Sequence, residues 1–415
     1  MVTIIGRESA TVVYRIKRTA RGLRWIVLST VLALIGLLGV WITIPEWINL
    51  LLAGISFALL YVEVRDHRRS VSSTVFEPRV SDSFESVVQA AKNDYRFSYL
   101  KYPHGSFLSD NVVTSALRDG LEARLDSTPF TVPPALSTLG QRFLDEKIKV
   151  RHVFDGPILG WNSNVGMGVE AELPRWIDFQ PATYFQHIET DQLALHDVSQ
   201  GGRFSEDHGR RLFITRRGVL RDFRDSWLVN VVGTSVMAFT SDGKLLIVDQ
   251  GIHNLNSGGQ LAPSGSGALE PRDFQGSDAL PLAELAANGA NRELQEETGV
   301  LASEIRESYF LGFGRWLDKA ARPELMTLSL LSVDSHVLEQ RMTEKPEKPF
   351  VRGRTFTRLV GEPDDWGASP ETMLEPQYRG RLSLPLSVGL ALLKDFVTAG
   401  GPAADMFSAQ VIAGE

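Results

Sequence analysis

Three glutamates crowd into residues 291–300, NRELQEETGV, a segment whose spacing predicts the end of an α-helix. Like charges three and four positions apart on a helix repel and cost roughly 0.2–0.5 kcal/mol per pair. At 100° per residue, Glu293, Glu296 and Glu297 fall within about 100° of one another. They adjoin a narrow stripe of small or apolar residues that would pack closely on a sheet: Ala283, Ala287, Ala290 and Leu294.

Two interpretations fit this acidic edge. A solvated helix end is the commoner explanation of a glutamate pair in an arbitrary protein. Three oxygen donors that converge from one rigid element are instead a site for a hard divalent cation, Mg²⁺ or Mn²⁺. The cation would remove the repulsion, neutralise a diphosphate and make an attacking water more acidic. The arrangement on one edge favours the cation site.

The surrounding pattern predicts a helix packed among strands. The helix is predicted to begin near Asp278, with Pro281 in its first turn, and to end at Gly299. Residues 84–125 carry helical patterning, and residues 382–397 predict a closing helix. From about residue 149, short apolar runs between turn residues predict strands. The clearest are KVRHVF, RLFITRRGVL, WLVNVVGTSVMAFT, KLLIVDQ, SYFLGFGRW and LMTLSLLSV.

A long apolar stretch at residues 25–64 predicts a membrane hairpin. Residues 25–44 carry no charge, and about 20 residues suffice to cross a bilayer. Residues 47–62 form a second, shorter run, and arginines flank the pair on both outer sides, which places both flanks on the cytoplasmic side. A signal peptide and a buried core hairpin are the alternatives, but the run starts too late and continues too long for the first. The sequence thus predicts a two-pass inner-membrane protein in contact with lipid.

Bulk composition narrows the function classes. The net charge is −7 and the chain has no cysteine, so disulfides, thiolate zinc sites and a cysteine nucleophile are excluded. No general nucleic-acid surface is expected from this charge. The sequence leaves open whether subunits form a homo-oligomer.

The segment AELAANGANRELQEETGV resembles the signature of the Nudix hydrolases. That signature is a glycine, five residues, glutamate, seven residues, Arg-Glu, an aliphatic residue, any residue, Glu-Glu, any residue, glycine and an aliphatic residue. The matching positions are Glu284, Arg292, Glu293, Leu294, Glu296, Glu297, Gly299 and Val300. The departure is Asp278, which stands at the family's opening glycine. The usual glycine-rich entry is replaced by Pro263–Gly267, PSGSG, followed by an insertion, so the loop that meets phosphates is longer than usual.

The resemblance implies roles for individual residues. Glu293, Glu296 and Glu297 would hold Mg²⁺ or Mn²⁺, and Glu293 or Glu297 would orient or deprotonate water as the catalytic residue. Arg292 and Glu284 would brace the loop and helix. Four residues are candidate substrate contacts: Arg292, Arg315, Gly265 and Gly267. Glu324 or Asp273 is a candidate for an additional base outside the signature. For Arg315 a strand-edge surface salt bridge is an equal alternative.

The implied fold class is α+β, an α/β/α sandwich on a mixed sheet, preceded by the two-helix transmembrane hairpin. The predicted segments are a basic cytoplasmic terminus, the hairpin, a linker with an uncharacterised helical region, a strand-rich lobe and the Nudix domain: residues 1–22, 23–64, 65–148, 149–222 and 223–415.

Two functions follow from the resemblance and the hairpin. The first is a membrane-anchored Nudix hydrolase that cleaves a phosphoanhydride in a nucleoside diphosphate linked to another group, by magnesium-dependent attack of water. The second is a nucleotide-sensing membrane effector of the anti-phage signalling type, in which the Nudix domain is the receptor and the hairpin perturbs the membrane. The intact glutamate triad favours the hydrolase, and the altered loop favours the receptor. Both take a nucleotide-derived small molecule.

Overall fold

The computed structural model describes most of the chain beyond residue 73. The described residues are 54, 61, 74–79, 84–92, 95–150, 154–166, 173–200, 203–205, 208–251, 259–341, 351–367, 369–401 and 407.

The described residues form strands and helices in an interleaved order. The strands are β1 (Thr74–Pro78), β2 (Phe97–Tyr102), β3 (Gly105–Asp110), β4 (Glu122–Leu125), β5 (Pro157–Trp161), β6 (Trp176–Thr183), β7 (His196–Gln200), β8 (Arg203–Ser205), β9 (Gly233–Phe239), β10 (Leu245–Gln250), β11 (Leu261–Ala262), β12 (Gly265–Ala268), β13 (Ala279–Pro281), β14 (Ile305–Trp316), β15 (Arg322–Leu331) and β16 (Val351–Thr357). The α-helices are α1 (Glu85–Lys92), α2 (Asn111–Arg118), α3 (Pro134–Val150), α4 (Tyr184–His187), α5 (Arg210–Phe213), α6 (Leu282–Thr298), α7 (Ser335–Glu339) and α8 (Leu384–Thr398).

A nine-stranded mixed sheet forms the centre, in the order β11-β10-β9-β15-β14-β3-β2. Strand β12 also pairs with β9, and β16 with β10. The pairing of β9 with β15 is parallel, whereas the other pairs in this sheet are antiparallel. A mixed sheet with helices on it confirms the predicted α+β class.

Helices α6 and α8 pack on opposite faces of this sheet, because successive residues of β9 point to opposite sides. Val236 and Ala238 share a hydrophobic cluster with Leu294 of α6. Met237 shares another cluster with Leu386 of α8. The result is the helix–sheet–helix layering predicted for this part of the chain.

Helix α6 begins four residues later than predicted. Asp278 precedes the short strand β13, and Pro281 is the residue before the helix rather than part of its first turn. Pairing of β13 with β4 holds this segment extended. Gly299 ends the helix with φ 74°, a left-handed conformation that glycine adopts without strain, as predicted.

Two smaller sheets complete the described part. One has the order β13-β4-β6-β5, and the other β1-β7-β8. The helical prediction for residues 84–125 is correct for α1 and α2 and wrong for β2, β3 and β4. In β3 the buried run from Ser106 to Asp110 lies between β2 and β14, so tertiary pairing overrides the local helical pattern.

The strand predicted from residue 149 is wrong at its start, because α3 continues to Val150. Lys147 and Lys149 lie in its last turn, where positive charge is favourable at the negative end of the helix dipole. RLFITRRGVL is also not a strand: α5 covers its first residues, and a single bridge joins Ile214 to Leu220. The domain boundaries stay a prediction.

Among the described residues, no helix is both long and apolar enough to cross a bilayer. The longest, α3 and α6, have 17 residues, about 26 Å at 1.5 Å per residue, against a hydrocarbon core of about 30 Å. This finding contradicts the predicted two-pass inner-membrane location. The predicted hairpin, residues 23–64, lies outside the described residues apart from Gly54 and Tyr61.

Candidate functional site

The three glutamates of the signature lie in the last turns of α6 and are largely withdrawn from water. The Glu293 and Glu296 side chains are 12% and 22% exposed, and Glu297 is buried. Helix geometry alone places them on one edge, and packing of α6 against β12 and β9 turns that edge inward. Carboxylates so placed need cations or hydrogen-bond donors close by.

Strand β12 approaches α6 closely because it begins with Gly-Ser-Gly. A Cβ added to Gly265 would lie 2.5 Å from the backbone nitrogen of Leu294, and one added to Gly267 would lie 2.1 Å from Oε1 of Glu293. Both glycines were predicted to contact substrate. In the structure Gly267 leaves the space that the carboxylate of Glu293 occupies, and Gly265 allows the strand to approach the backbone of α6.

Arg292 is the central cation of the site. Its Nη1 lies 2.6 Å from Oε1 of Glu293 and 3.7 Å from Oε2 of Glu296. Its Nε donates to Oδ1 of Asp273 at 2.8 Å, and its Nη2 donates to the carbonyl of Ala268 at 2.7 Å. Arg292 thus joins the helix, strand β12 and the following loop, as a bracing residue would.

The loop between β12 and β13 supplies charges that the signature does not contain. A short 3₁₀ turn, Pro271–Phe274, places Arg272 within 2.7 Å of Glu270 and within 3.0 Å of Glu296. Glu270 also lies 3.8 Å from Nη1 of Arg292. Neither Glu270 nor Arg272 belongs to the signature or to any other motif of the sequence. Their only signal is the charged run EPRD inside the insertion.

Asp273 is buried and serves as an acceptor within this network. Its two carboxylate oxygens accept hydrogen bonds from Nε and Nη2 of Arg292. Its Oδ2 also accepts a hydrogen bond from the backbone N–H of Glu270 at 2.8 Å. The side-chain amide of Asn288 donates a hydrogen bond to the backbone carbonyl of Asp273, which ties the turn to α6. These contacts give Asp273 a structural use in holding the loop.

The carboxylates around Arg292 stabilise its charged form. Burial lowers the pKa of Arg292, but Glu293, Asp273 and Glu270 raise it well above its ordinary value, so the guanidinium stays protonated. Arg292 and Arg272 together face Glu270, Asp273, Glu293 and Glu296. Two cations against four carboxylates leave an acidic excess that an added cation can offset.

The other predicted residues lie elsewhere. Glu284 is exposed on the first turn of α6. Arg315 is buried with its guanidinium 3.7 Å from the ring centre of Phe223 and 3.6 Å from Asp222, and burial lowers its pKa to about 10. It sits in a strand with neighbours on both sides, which excludes the surface salt bridge at a strand edge.

Glu324 is buried on the sheet face opposite α6. It accepts from the hydroxyl of Ser235 at 3.0 Å and from Nη2 of Arg322 at 2.6 Å. Its neighbour on the parallel strand is Gly233, which pairs in turn with Ala268 of β12. One row across three strands therefore links Glu324 to the carbonyl that Arg292 contacts.

The oxygen donors suit a hard divalent cation, although no three acidic or histidine side chains in the described part of the chain form a preassembled metal cluster. Arg292 lies between Glu293 and Glu296, and Arg272 lies between Glu270 and Glu296. Arg272 is 46% exposed on its side chain and is held only by ion pairs with Glu270 and Glu296. Carboxylate oxygens are the ligands that hard divalent cations prefer, so the donor set fits Mg²⁺ or Mn²⁺ in its chemistry.

No model of a protein family matches this sequence, and no curated protein matches it. Solved structures similar to part of the chain include DR0079 from Deinococcus radiodurans, with 17% identity over 39% of this chain and 81% of that one, at a TM-score of 0.26. A Nudix hydrolase from Nitrosomonas europaea has 17% identity over 41% of this chain and 89% of that one, also at a TM-score of 0.26. The Nudix hydrolase RenU from M. smegmatis has 14% identity over 41% of this chain and 86% of that one, at a TM-score of 0.25. At these values the likeness carries no argument about activity.

Proposed function

We propose that this chain is a Nudix-type pyrophosphohydrolase that cleaves a phosphoanhydride in a nucleoside diphosphate linked to another group. The observation that carries the proposal is the placement of Glu293, Glu296 and Glu297 on one withdrawn edge of α6, where Gly267 of β12 makes room for Glu293 and Arg292 pairs with Glu293 and Glu296. The spacing of the Nudix signature and the helix–sheet–helix layering support the same conclusion.

Glu293, Glu296 and Glu297 would hold the divalent cation. That cation would neutralise the diphosphate and lower the pKa of the attacking water. Glu297, the most buried of the three, would orient water or accept its proton, and Arg292 would position Glu293. Water adds to one phosphorus as the bond from that phosphorus to the bridging oxygen breaks, which yields two phosphate-bearing products and releases one proton.

Several features separate this proposal from a solvated acidic helix end. A solvated end needs neither glycines opposite it nor a buried arginine among its carboxylates. Here Gly267 leaves room for the carboxylate of Glu293, and Asp273 fixes the guanidinium of Arg292 from a separate loop. Burying charged groups costs desolvation free energy, which destabilises the fold unless it is compensated.

The test is hydrolysis of a panel of dinucleotides, nucleotide sugars and cyclic oligonucleotides with Mg²⁺ or Mn²⁺. Removing a metal ligand or base costs on the order of 10²–10⁴-fold in rate, so Glu297→Gln should lose most activity. Glu339→Gln, an exposed glutamate on α7, is the matched control and should keep it. Equal activity in Glu297→Gln and the parent overturns the proposal, as does tight binding of a cyclic nucleotide with no hydrolysis of any member, which identifies a receptor.

A further inference from the structure

The turn between β14 and β15 holds a strained conformation. A 3₁₀ turn, Leu317–Lys319, is followed by Ala320 and Ala321 with φ of 58° and 56°. Residues with a Cβ rarely adopt this left-handed region, and two in succession need packing to hold them. Both alanines are buried in a cluster with Leu317 and Leu108. The turn is therefore a fixed platform for the charged residues beside it.

Two cations of this platform lie around one indole ring. Nζ of Lys319 is 5.7 Å from the ring centre of Trp316, and Cζ of Arg322 is 5.2 Å from it. Burial, and next the charge of Arg322, lower the pKa of Lys319 to about 8. Such a lowered pKa is expected for an ammonium group that is buried near another cation.

Two carboxylates lie near these two cations, but only one of them forms a direct ion pair. Glu324 pairs with Arg322 at 2.6 Å. One oxygen of Asp318 accepts the backbone N–H of Ser106 at 2.5 Å. Within the part of the chain that the structure describes, no carboxylate lies within ion-pair distance of Lys319. The charge of Asp318 still acts on Lys319 and raises its pKa, so two carboxylates match the two cations, but the ammonium of Lys319 forms no direct ion pair among the described residues.

Two buried donors in the same group have no acceptor among the described residues. They are Nε1 of Trp316, a side chain only 4% exposed, and Nε of Arg322. Buried donors in proteins are rarely left without a hydrogen bond, because desolvating them is unfavourable. Together with Nζ of Lys319 they form a donor set that matches an oxyanion.

The group lies at the same end of the sheet as the glutamates of α6 but on the opposite face, where Trp316 shares a hydrophobic cluster with Leu386 of α8. Glu324 pairs with Gly233, and Gly233 with Ala268, whose carbonyl accepts from Arg292. Two strand spacings, about 10 Å, separate the first and last strands of this row. A Cβ on Gly233 would lie 1.9 Å from Glu324 and 2.9 Å from Arg322, so the glycine gives their ion pair its place.

We propose that Lys319, Arg322 and Trp316 form an anion subsite that binds a phosphate group, distinct from the glutamates of α6. Its identity as a substrate subsite rests on the proposed function, whereas its affinity for phosphate does not. The phosphate is either free or the second phosphate-bearing end of the substrate.

Calorimetry with inorganic phosphate and with pyrophosphate, both without divalent cation, tests the subsite directly. The parent should bind at least one of them, and Lys319→Met should weaken binding tenfold or more. Lys394→Met removes a partly exposed lysine of α8, whose Nζ donates to the carbonyl of Gly367, and should bind within twofold of the parent. Lys319→Arg should restore binding, and its thermal unfolding monitors the fold. Failure of the parent to bind either anion, or equal binding by Lys319→Met, overturns the proposal.

Two further measurements separate the two sources of phosphate and the two proposals. If the substrate supplies the phosphate, Lys319→Met should raise KM at least tenfold with little change in kcat. If free phosphate is the ligand, KM should be unchanged while phosphate binding is lost. Glu297→Gln should bind phosphate as the parent does. If the parent hydrolyses no substrate but binds phosphate in a way that depends on Lys319, the proposed function alone is refuted. If the parent hydrolyses a substrate but shows no Lys319-dependent phosphate binding, the subsite alone is refuted.

Discussion

Arg292 and Asp273, 19 positions apart, form a two-point ion pair in which Nε and Nη2 of the arginine donate to the two carboxylate oxygens at 2.8 and 3.1 Å. The pair joins the glutamate helix to the loop inserted between β12 and β13. It also fixes Nη1 of the same guanidinium beside Glu293. Positioning of the signature glutamates thus depends on a residue outside the signature.

Arg292→Gln should destabilise the protein strongly. It leaves the buried carboxylate of Asp273 and the half-buried Glu293 without their cation, and breaking a buried ion pair costs about 3–5 kcal/mol. Arg272→Gln, at an exposed position, should change the free energy of unfolding by about 1 kcal/mol or less. Urea unfolding of the two variants measures both. An equal loss of unfolding free energy in Arg292→Gln and Arg272→Gln would show that the ion pair between Arg292 and Asp273 contributes no more than a surface ion pair.

Arg272→Gln should raise the affinity for Mn²⁺ at the proposed site. Its guanidinium occupies oxygens of Glu270 and Glu296 that a cation would otherwise take. An exposed ion pair is worth up to about 1 kcal/mol, so the gain should be about fivefold or less. Titration calorimetry with Mn²⁺ measures it.

Arg381→Gln is the control for that measurement, because its side chain is 45% exposed and pairs with Asp249 at 3.2 Å, away from the glutamates. Its Mn²⁺ affinity should equal that of the parent. A gain of the same size in both variants would reflect net charge alone and would contradict competition by Arg272.

Two alanine substitutions in β12 should have different effects. In Gly267→Ala the new Cβ meets the movable carboxylate of Glu293, so the fold should persist while hydrolysis falls by about 10²-fold through misplacement of that group. In Gly265→Ala the Cβ meets the backbone of Leu294, and overpacking should cost about 1–3 kcal/mol of stability. Thermal unfolding and rate measurements on both variants separate the two outcomes.

Gly353→Ala serves as the control, because nothing lies within 4 Å of its added Cβ. It should match the parent in both measurements. A Gly267→Ala variant with full activity would show that the position of Glu293 beside β12 is not required.

His196 should make stability depend on pH. Burial lowers its pKa to about 4, against its ordinary 6.5; Gln192 accepts from its Nδ1 at 2.9 Å, and Lys147 adds a nearby positive charge. Between these two pH values the unfolded chain takes up a proton that the folded chain does not. The free energy of unfolding should therefore fall as the pH decreases from about 6.5 to about 4, and show no further loss from this group below that.

His196→Gln should flatten this dependence, whereas His336→Gln, at an exposed position of α7, should leave it unchanged. Urea unfolding across pH 4 to 7 in matched ionic strength compares the three proteins. An identical slope in His196→Gln and the parent would assign the dependence to other groups.

The sequence by itself determined the glutamate helix and its edge, because helical periodicity and the C-terminal glycine are local properties of residues 282–299. It also determined strands β9, β10, β14 and β15, whose apolar runs and turn signals are local as well. It did not locate β2 and β3, since β3 pairs with β14, more than 200 residues away along the chain, and β2 pairs with β3.

Only the tertiary structure decided which charges meet the glutamates. Arg272, Glu270 and Asp273 come from an insertion whose path depends on pairing of β13 with β4. Likewise, Arg315 has the same sequence context whether it faces a phosphate or a buried aromatic ring. Side-chain partners at long range are fixed by packing and burial, and a single chain's sequence pattern carries no record of either.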